Sequence, residues 1–185
     1  NATHLHFLMK DNPSLSEETL GDYETRYTGV FYQRYILGLW VISEGAIYDM
    51  FDQSENTYTE LPVYFRAVAE RTITCDYGTT NPCVFYEVLD NGEEIRIERE
   101  YRWDSRKEQR QKTDAEYADD LITLMGEERC MVIVDPSAAS FIAELKSRGV
   151  YVKAAKNDVM DGIRKMSTLI KRRVLKINVL CKGLL

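Results

Sequence analysis

Apolar and polar positions change their period part-way along the chain. Through about the first 60 residues the pattern is helical and interrupted. His4 to Met9 reads as a short strand-like run, and Asp11-Asn12-Pro13-Ser14 as a turn. Ser14 or Ser16 can cap the helix that follows: Ser14 stands three residues before Glu17, and Ser16 is followed directly by two acids. Phe31, Tyr35, Leu39 and Ile42 recur near a 3.6-residue spacing, which predicts a second helix over 29–42. From Asp52 to Pro62 the chain turns polar, and this stretch predicts a linker.

From about Val63 the pattern predicts strands. Val68 to Asp76 is the first and Cys83 to Leu89 the second. Asp90-Asn91-Gly92 predicts a hairpin turn, because Asn and Gly tolerate positive φ, and Ile95 to Trp103 returns as the third strand. A charged excursion covers 104–112. Thr113 can cap a helix running to about Met125, with Gly126 as its stop. Cys130 to Asp135 is a fourth strand, Ser137 to Arg148 a helix closed by Gly149, and Val150 to Ala154 a fifth strand. Asn157 caps another helix through about Ile170, and Val174 to Leu180 is a final strand-like run. The order β-β-β-α-β-α-β-α-β predicts an α/β fold, a mixed sheet with helices on its faces, behind a small helical appendage.

Composition narrows the class. Hydrophobic residues make up 44% of 185, enough for a sizeable core, yet no apolar run reaches the roughly 18 residues of a membrane span, so no membrane role is expected. Cys75, Cys83, Cys130 and Cys181 lack CxxC spacing and read as free thiols of a reducing compartment. The first residues, Asn1-Ala2-Thr3-His4, carry no signal-peptide pattern and read as a cut edge inside a longer protein. Charge is lopsided. Residues 146–185 hold eleven Lys and Arg against Asp158 and Asp161, a net of +9, which leaves −15 for the first 145. Such asymmetry fits either a polyanion partner or a solvated helix face paired with the acidic part of the same fold.

Candidate chemistry sits at two strand ends. Thr72 to Cys75 leads into Asp76, and Met131 to Val134 leads into Asp135, each acid being followed by turn residues. An acid at the tip of a buried strand is costly unless something positive meets it. The first strand of a meander and the first strand after a helical crossover can lie side by side, which would make these acids neighbours. At about 4 Å two carboxylates repel by roughly 4 kcal/mol at an effective dielectric near 20. A divalent cation turns that penalty into a binding site, and Mg²⁺ and Mn²⁺ take carboxylate and water oxygens while keeping positions open for phosphate. Two such metals suit phosphodiester hydrolysis. Asp135 could equally cap the helix beginning near Ser137. His4 and His6 would share one side of a strand, but no third ligand is near in sequence. Arg106, Lys107, Arg110 and Lys112, and Lys171-Arg172-Arg173, could track a phosphate backbone or form solvated surface. Thr79, Thr80 and Asn81 could bond phosphate or simply order the loop after Asp76. Tyr32, Tyr35 and Trp40 read as packing groups.

Several runs, in order, resemble one family. Asp76-Tyr77-Gly78-Thr79-Thr80-Asn81-Pro82 and Val132-Ile133-Val134-Asp135-Pro136-Ser137-Ala138-Ala139-Ser140-Phe141 are similar to the nuclease domain of tailed-phage terminase large subunits, more narrowly those of Bacillus-type prophages. Tyr27-Thr28-Gly29-Val30-Phe31-Tyr32-Gln33-Arg34-Tyr35-Ile36-Leu37-Gly38-Leu39-Trp40, Ala46-Ile47-Tyr48-Asp49 and Asn157-Asp158-Val159-Met160-Asp161-Gly162-Ile163 carry the same resemblance. It implies a ribonuclease H-like fold with helices on both faces of the sheet. It also implies a metal-dependent endonuclease that cuts concatemeric double-stranded DNA during genome packaging in the host bacterial cytoplasm. Asp76 and Asp135 then fall on two of three acidic ligands of a two-metal site for Mg²⁺ or Mn²⁺. The terminase small subunit and the portal protein are the implied partners. Residues 1–60 would be the end of the ATPase region and a linker, and 61–185 the nuclease domain; Walker-type residues are absent, so no ATP site is expected here. The family's third acid lies in a helix with a His-x-x-Asp-like pattern beyond the last strand, and Lys182-Gly183-Leu184-Leu185 comes before it, so an incomplete site is expected. Asp158 and Asp161, three apart on one helix face, could contact metal or serve the helix itself. The alternative is a remnant that binds DNA or packaging partners without cutting. A third reading is another ribonuclease H-like enzyme, such as a resolvase or transposase-type nuclease; the Tyr27 to Trp40 run argues against it.

Overall fold

Strand alternation from Glu70 onward sorts the side chains into a buried set and a set left outside the core. Ile73 and Cys75, Cys83 and Phe85, Val132 and Val134 all turn to one side, where they meet Tyr117, Leu121, Phe141 and Leu145 from two helices. A computed structural model of the chain describes residues 8–26, 33, 36–39, 47–79 and 81–185. The paired histidines His4 and His6, most of the expected helix over 29–42, Tyr32, Tyr35, Trp40 and Thr80 lie outside the described residues.

Contacts divide the chain into residues 1–49 and 50–185. In the first unit a 3₁₀ turn at Met9–Asp11 precedes α1, Glu17–Arg26. Ser16 is the capping residue, its hydroxyl accepting the Thr19 N–H at 3.2 Å, whereas the Ser14 N–H closes a turn onto the side-chain carbonyl of Asn12 at 3.0 Å.

The second unit runs α2 (Gln53–Asn56), β1 (Thr57–Tyr58), α3 (Val63–Val68), β2 (Glu70–Asp76), β3 (Cys83–Asp90), β4 (Ile95–Trp103), α4 (Asp114–Met125), β5 (Met131–Val134), α5 (Ala139–Ser147), β6 (Val152–Ala154), α6 (Val159–Lys171) and β7 (Leu175–Asn178). One sheet takes the order β1-β7-β4-β3-β2-β5-β6. β3 is antiparallel to β2 and β4, and every other neighbouring pair is parallel. Parallel crossovers are right-handed. The β4-to-β5 and β5-to-β6 connections step the same way across the sheet, so α4 and α5 share a face. The β6-to-β7 connection steps back, which puts α6 on the other. The α/β sheet with helices on both faces is thus realised.

Local differences from the sequence reading have physical causes. The polar stretch 52–62 is not a free linker. Asp52 caps α2 through the Ser54 N–H at 2.9 Å, and β1 adds to the sheet edge beside β7. Asn56 is completely buried; its amide donates to the Ile170 and Leu175 carbonyls at 3.1 and 3.0 Å and accepts from Arg173 at 2.6 Å. Those bonds replace water for a polar side chain that would otherwise oppose burial. Residues 50–60, read from sequence with the appendage, therefore pack with the sheet. Val63–Val68 is a helix whose Phe65 is buried, and the strand begins at Glu70 rather than Val68. Thr113 and Glu116 form the capping box of α4, and Gly126 ends it at φ 69°. All four cysteines are free, and Cys75, Cys83 and Cys181 are buried.

Glu87, in the middle of β3, is a fully buried acid. Arg99 reaches it at 2.6 Å and Arg71 at 2.5 Å, with Arg66 at 3.3 Å. The same two nearer guanidinium groups donate onward to the end of α4: Arg71 to the Met125 carbonyl at 2.7 Å, Arg99 to the Leu124 carbonyl at 2.7 Å. A helix C-terminus presents unpaired carbonyls and partial negative charge, so arginines are suited to it. Burial alone would raise the Glu87 pKa; hydrogen bonds from Arg99 and Arg71 outweigh it and hold the group at about 2. Because this folded value lies below the ordinary one, the stabilisation is complete above about pH 4.5 and is lost as pH falls toward 2. Glu87→Gln leaves the arginines without a counter-charge, and urea unfolding at neutral pH should register a loss of about 3–5 kcal/mol. The variant should also lose less stability than the wild type between pH 5 and pH 3.

Candidate metal centre

β2 and β5 run parallel with Thr72 opposite Met131, Ile73 opposite Val132, Thr74 opposite Ile133 and Cys75 opposite Val134. The next residue on each chain is Asp76 and Asp135. Both acids therefore stand at the C-terminal ends of adjacent strands, with backbones about 4.8 Å apart. The pleat that buries Ile73, Cys75, Val132 and Val134 leaves the two aspartates outside the core.

The two carboxylates are held differently. Asp76 is exposed, and among the described residues no hydrogen bond or ion pair reaches its carboxylate. Its backbone, by contrast, is well anchored. Tyr77 follows it and stacks on Phe141 with ring centroids 4.7 Å apart, meets Tyr117 edge-on at 5.6 Å, and donates its hydroxyl to Asp114 at the start of α4. Burial and the Asp114 carboxylate push the Tyr77 phenol pKa up, so it stays protonated as a donor. The Gln111 amide clamps the Thr79 carbonyl at 3.2 Å. Gly78 lies under the same turn, where an added Cβ would stand 2.5 Å from the Asn81 carbonyl oxygen and 2.9 Å from that of Pro82.

Asp135 is fixed at its side chain. The Ser137 N–H donates to one oxygen at 2.7 Å, and the Asn157 amide donates to the other at 2.8 Å. Bonds from Ser137 and then Asn157 lower its pKa, keeping the carboxylate charged. Asp135 thus closes a turn before α5 and does not cap that helix, which starts at Ala139. Asn157, expected to cap α6, is released for this contact because Asp158 takes the capping position, accepting the Asp161 N–H at 2.8 Å. Asp161 is engaged with Lys165 at 2.6 Å, which lowers its pKa. Asp158 and Asp161 accordingly serve their helix. Among the described residues no group of three or more His, Cys, Asp or Glu side chains gathers to hold a metal.

The basic excursion divides in two. Arg110 pairs with Glu116, and Lys112 with Asp120 at 2.5 Å while lying 4.1 Å over the Trp103 ring. Arg106 and Lys107 are exposed; the Asp104 carboxylate accepts their backbone N–H groups at 3.1 and 3.4 Å, and among the described residues no carboxylate forms an ion pair with either side chain. Arg173 is spent on Asn56 and the Met50 carbonyl, whereas Lys171 and Arg172 are exposed.

Three comparisons bear on this geometry. No family model and no curated protein matches the chain. Among solved structures, the large terminase of a thermophilic bacteriophage is similar at 46% identity, covering 98% of this chain and 46% of that one, with a TM-score of 0.71. This chain belongs to the large-terminase family. It spans about half the length of the large terminase it matches. The nuclease domain of the P22 large terminase is similar in fold at 11% identity, covering 76% of each chain, with a TM-score of 0.62. The large terminase nuclease of the thermophilic phage G20c, with bound magnesium, is similar in fold at 14% identity over 74% of this chain and 76% of that one, TM-score 0.54. The fold is ribonuclease H-like, as the family likeness implied.

Sequence reasoning missed Tyr77, Gln111, Asp114 and Asn157 as supports of the two acids. Only Tyr77 carried a signal, an aromatic beside the acid. The tight turn after Asp76 yields a stability contrast. Gly78→Ala should cost about 1–3 kcal/mol in urea unfolding, because backbone oxygens cannot yield as side chains do. Gly162→Ala, in α6 with open space around it, should instead gain about 0.5–1 kcal/mol.

Proposed function

We propose that residues 50–185 form the nuclease module of a packaging terminase, hydrolysing phosphodiester bonds of concatemeric double-stranded DNA with the help of a divalent cation, and that residues 1–49 are the end of the ATPase region and its linker; the boundary lies ahead of residue 61 because α2 and β1 pack with the sheet. The observation that carries this reading is the parallel register of β2 and β5, which sets Asp76 beside Asp135. Family membership supports it, as does the fold shared with a terminase nuclease that binds magnesium.

The donor set fits Mg²⁺ or Mn²⁺: two carboxylates at an exposed rim. Asp76 and Asp135 would hold the cation. When bound, it supplies a water of lowered pKa and charge stabilisation at the leaving oxygen. The protein's own part is orientation. Ser137 and Asn157 set the plane of the Asp135 carboxylate, and the Tyr77 anchor fixes the backbone from which Asp76 projects. β4 is antiparallel to β3, as is β2, so Arg106 and Lys107 leave the sheet at the same rim as the two acids. They are suited to phosphate contacts that keep DNA near the site without reading sequence.

A second reading is favoured by one observation: among the described residues no group of three or more potential ligands gathers to hold a metal. On that reading these residues bind DNA or packaging partners without cutting. The small subunit and the portal protein remain the proposed partners, and the host bacterial cytoplasm the proposed place of action.

Incubation of the chain, and of a version extended at its C-terminus, with plasmid and Mn²⁺ tests the proposal. Cleavage that disappears in both Asp76→Ala and Asp135→Ala is expected. Cutting that persists in both variants would falsify the site. DNA binding without cleavage by either version would favour the second reading. In a separate titration, DNA affinity should fall as salt rises, and replacing Arg106 and Lys107 by Ala should flatten the log–log slope by about one for each phosphate no longer neutralised.

A further inference from the structure

We infer that Asn157 is a positioning residue for the metal centre, presenting the Asp135 carboxylate to the cation; this rests on the nuclease reading above. Asn157 sits between two fixed points. On one side, the Ala155 N–H donates to the Val134 carbonyl at 2.8 Å, tying the chain to the residue that precedes Asp135. On the other, Asp158 caps α6 through the Asp161 N–H at 2.8 Å. The residue between these anchors is held opposite Asp135, and its amide nitrogen meets Oδ2 at 2.8 Å while the Ser137 N–H meets Oδ1 at 2.7 Å.

The chemistry of the contact argues for orientation rather than charge compensation. A carboxylate has about four lone-pair sites, so one donor on each oxygen leaves each oxygen able to accept a cation. Two donors on different oxygens fix the plane of the group. Lys or Arg at this position would bring a positive charge that competes with the metal. An amide orients without adding charge. Outer-shell partners of this kind commonly account for 10–100-fold in metal affinity. The asymmetry with Asp76 fits this role: one ligand is preset, and the other, without a partner among the described residues, can adjust.

Calorimetric titration of Mn²⁺ into the whole chain, without DNA, measures the effect apart from cleavage. Asn157→Ala and Asn157→Ser should each weaken Mn²⁺ binding about tenfold or more; Ser keeps a turn-forming side chain ahead of the helix but is too short to reach Oδ2. Thermal unfolding without metal should be nearly unchanged in at least the Ser variant. Mn²⁺ affinity within twofold of wild type in either folded variant, with binding abolished by Asp135→Ala, overturns the role of Asn157 and leaves the nuclease reading standing. A wild-type chain that binds no Mn²⁺ overturns both.

Discussion

Parallel pairing of β2 with β5 is the constraint on which the site depends. Four matched pairs, ending at Cys75 opposite Val134, leave two aspartates as the next residues on adjacent strands. The side-chain period of a strand is two, so a slip of one residue would turn one acid toward Phe141 and Tyr117 and the other away. Apolar burial enforces the register: Ile73, Val132 and Val134 are fully buried, and a slip would expose either Ile73 on β2 or the two valines on β5. The free energy that drives core formation thereby also sets two acids at neighbouring strand ends. Under the proposed function, a divalent cation would take this pair as ligands.

Polar groups at opposite ends of the sheet support this arrangement. At the acidic rim, Tyr77 pins the loop after Asp76 to α4 and α5, while Ser137 and Asn157 orient Asp135. Away from that rim, Glu87 gathers Arg71 and Arg99, which hold the C-terminal carbonyls of α4. α4 is thus fastened at its start by Asp114 and at its end by arginine. Since α4 carries the crossover from β4 into β5, its placement helps to set where β5 meets β2.

Much of this was legible in the sequence because the signals were local. Alternating runs ending in Asp76 and Asp135 marked two strand ends, Asp90-Asn91-Gly92 marked the hairpin, and Thr113 with Gly126 bounded α4. What escaped the reading depends on partners distant in sequence. Asn56 looks like linker composition, yet it is buried because Ile170, Arg173 and Leu175 supply its hydrogen bonds. Glu87 occupies a core-facing position that binary patterning reserves for apolar residues; only the folded sheet brings Arg71 and Arg99 to it. Asn157 and Asp158 are both good helix caps, and nothing local decides between them. The contact with Asp135 does so, 22 residues away.

The most direct measurement is a crystal of the chain soaked in Mn²⁺ and examined by anomalous scattering. A peak is expected within coordination distance of one carboxylate oxygen from Asp76 and one from Asp135. Carboxylates pointing to different sides of the sheet, or a Mn²⁺ peak away from both, would contradict it.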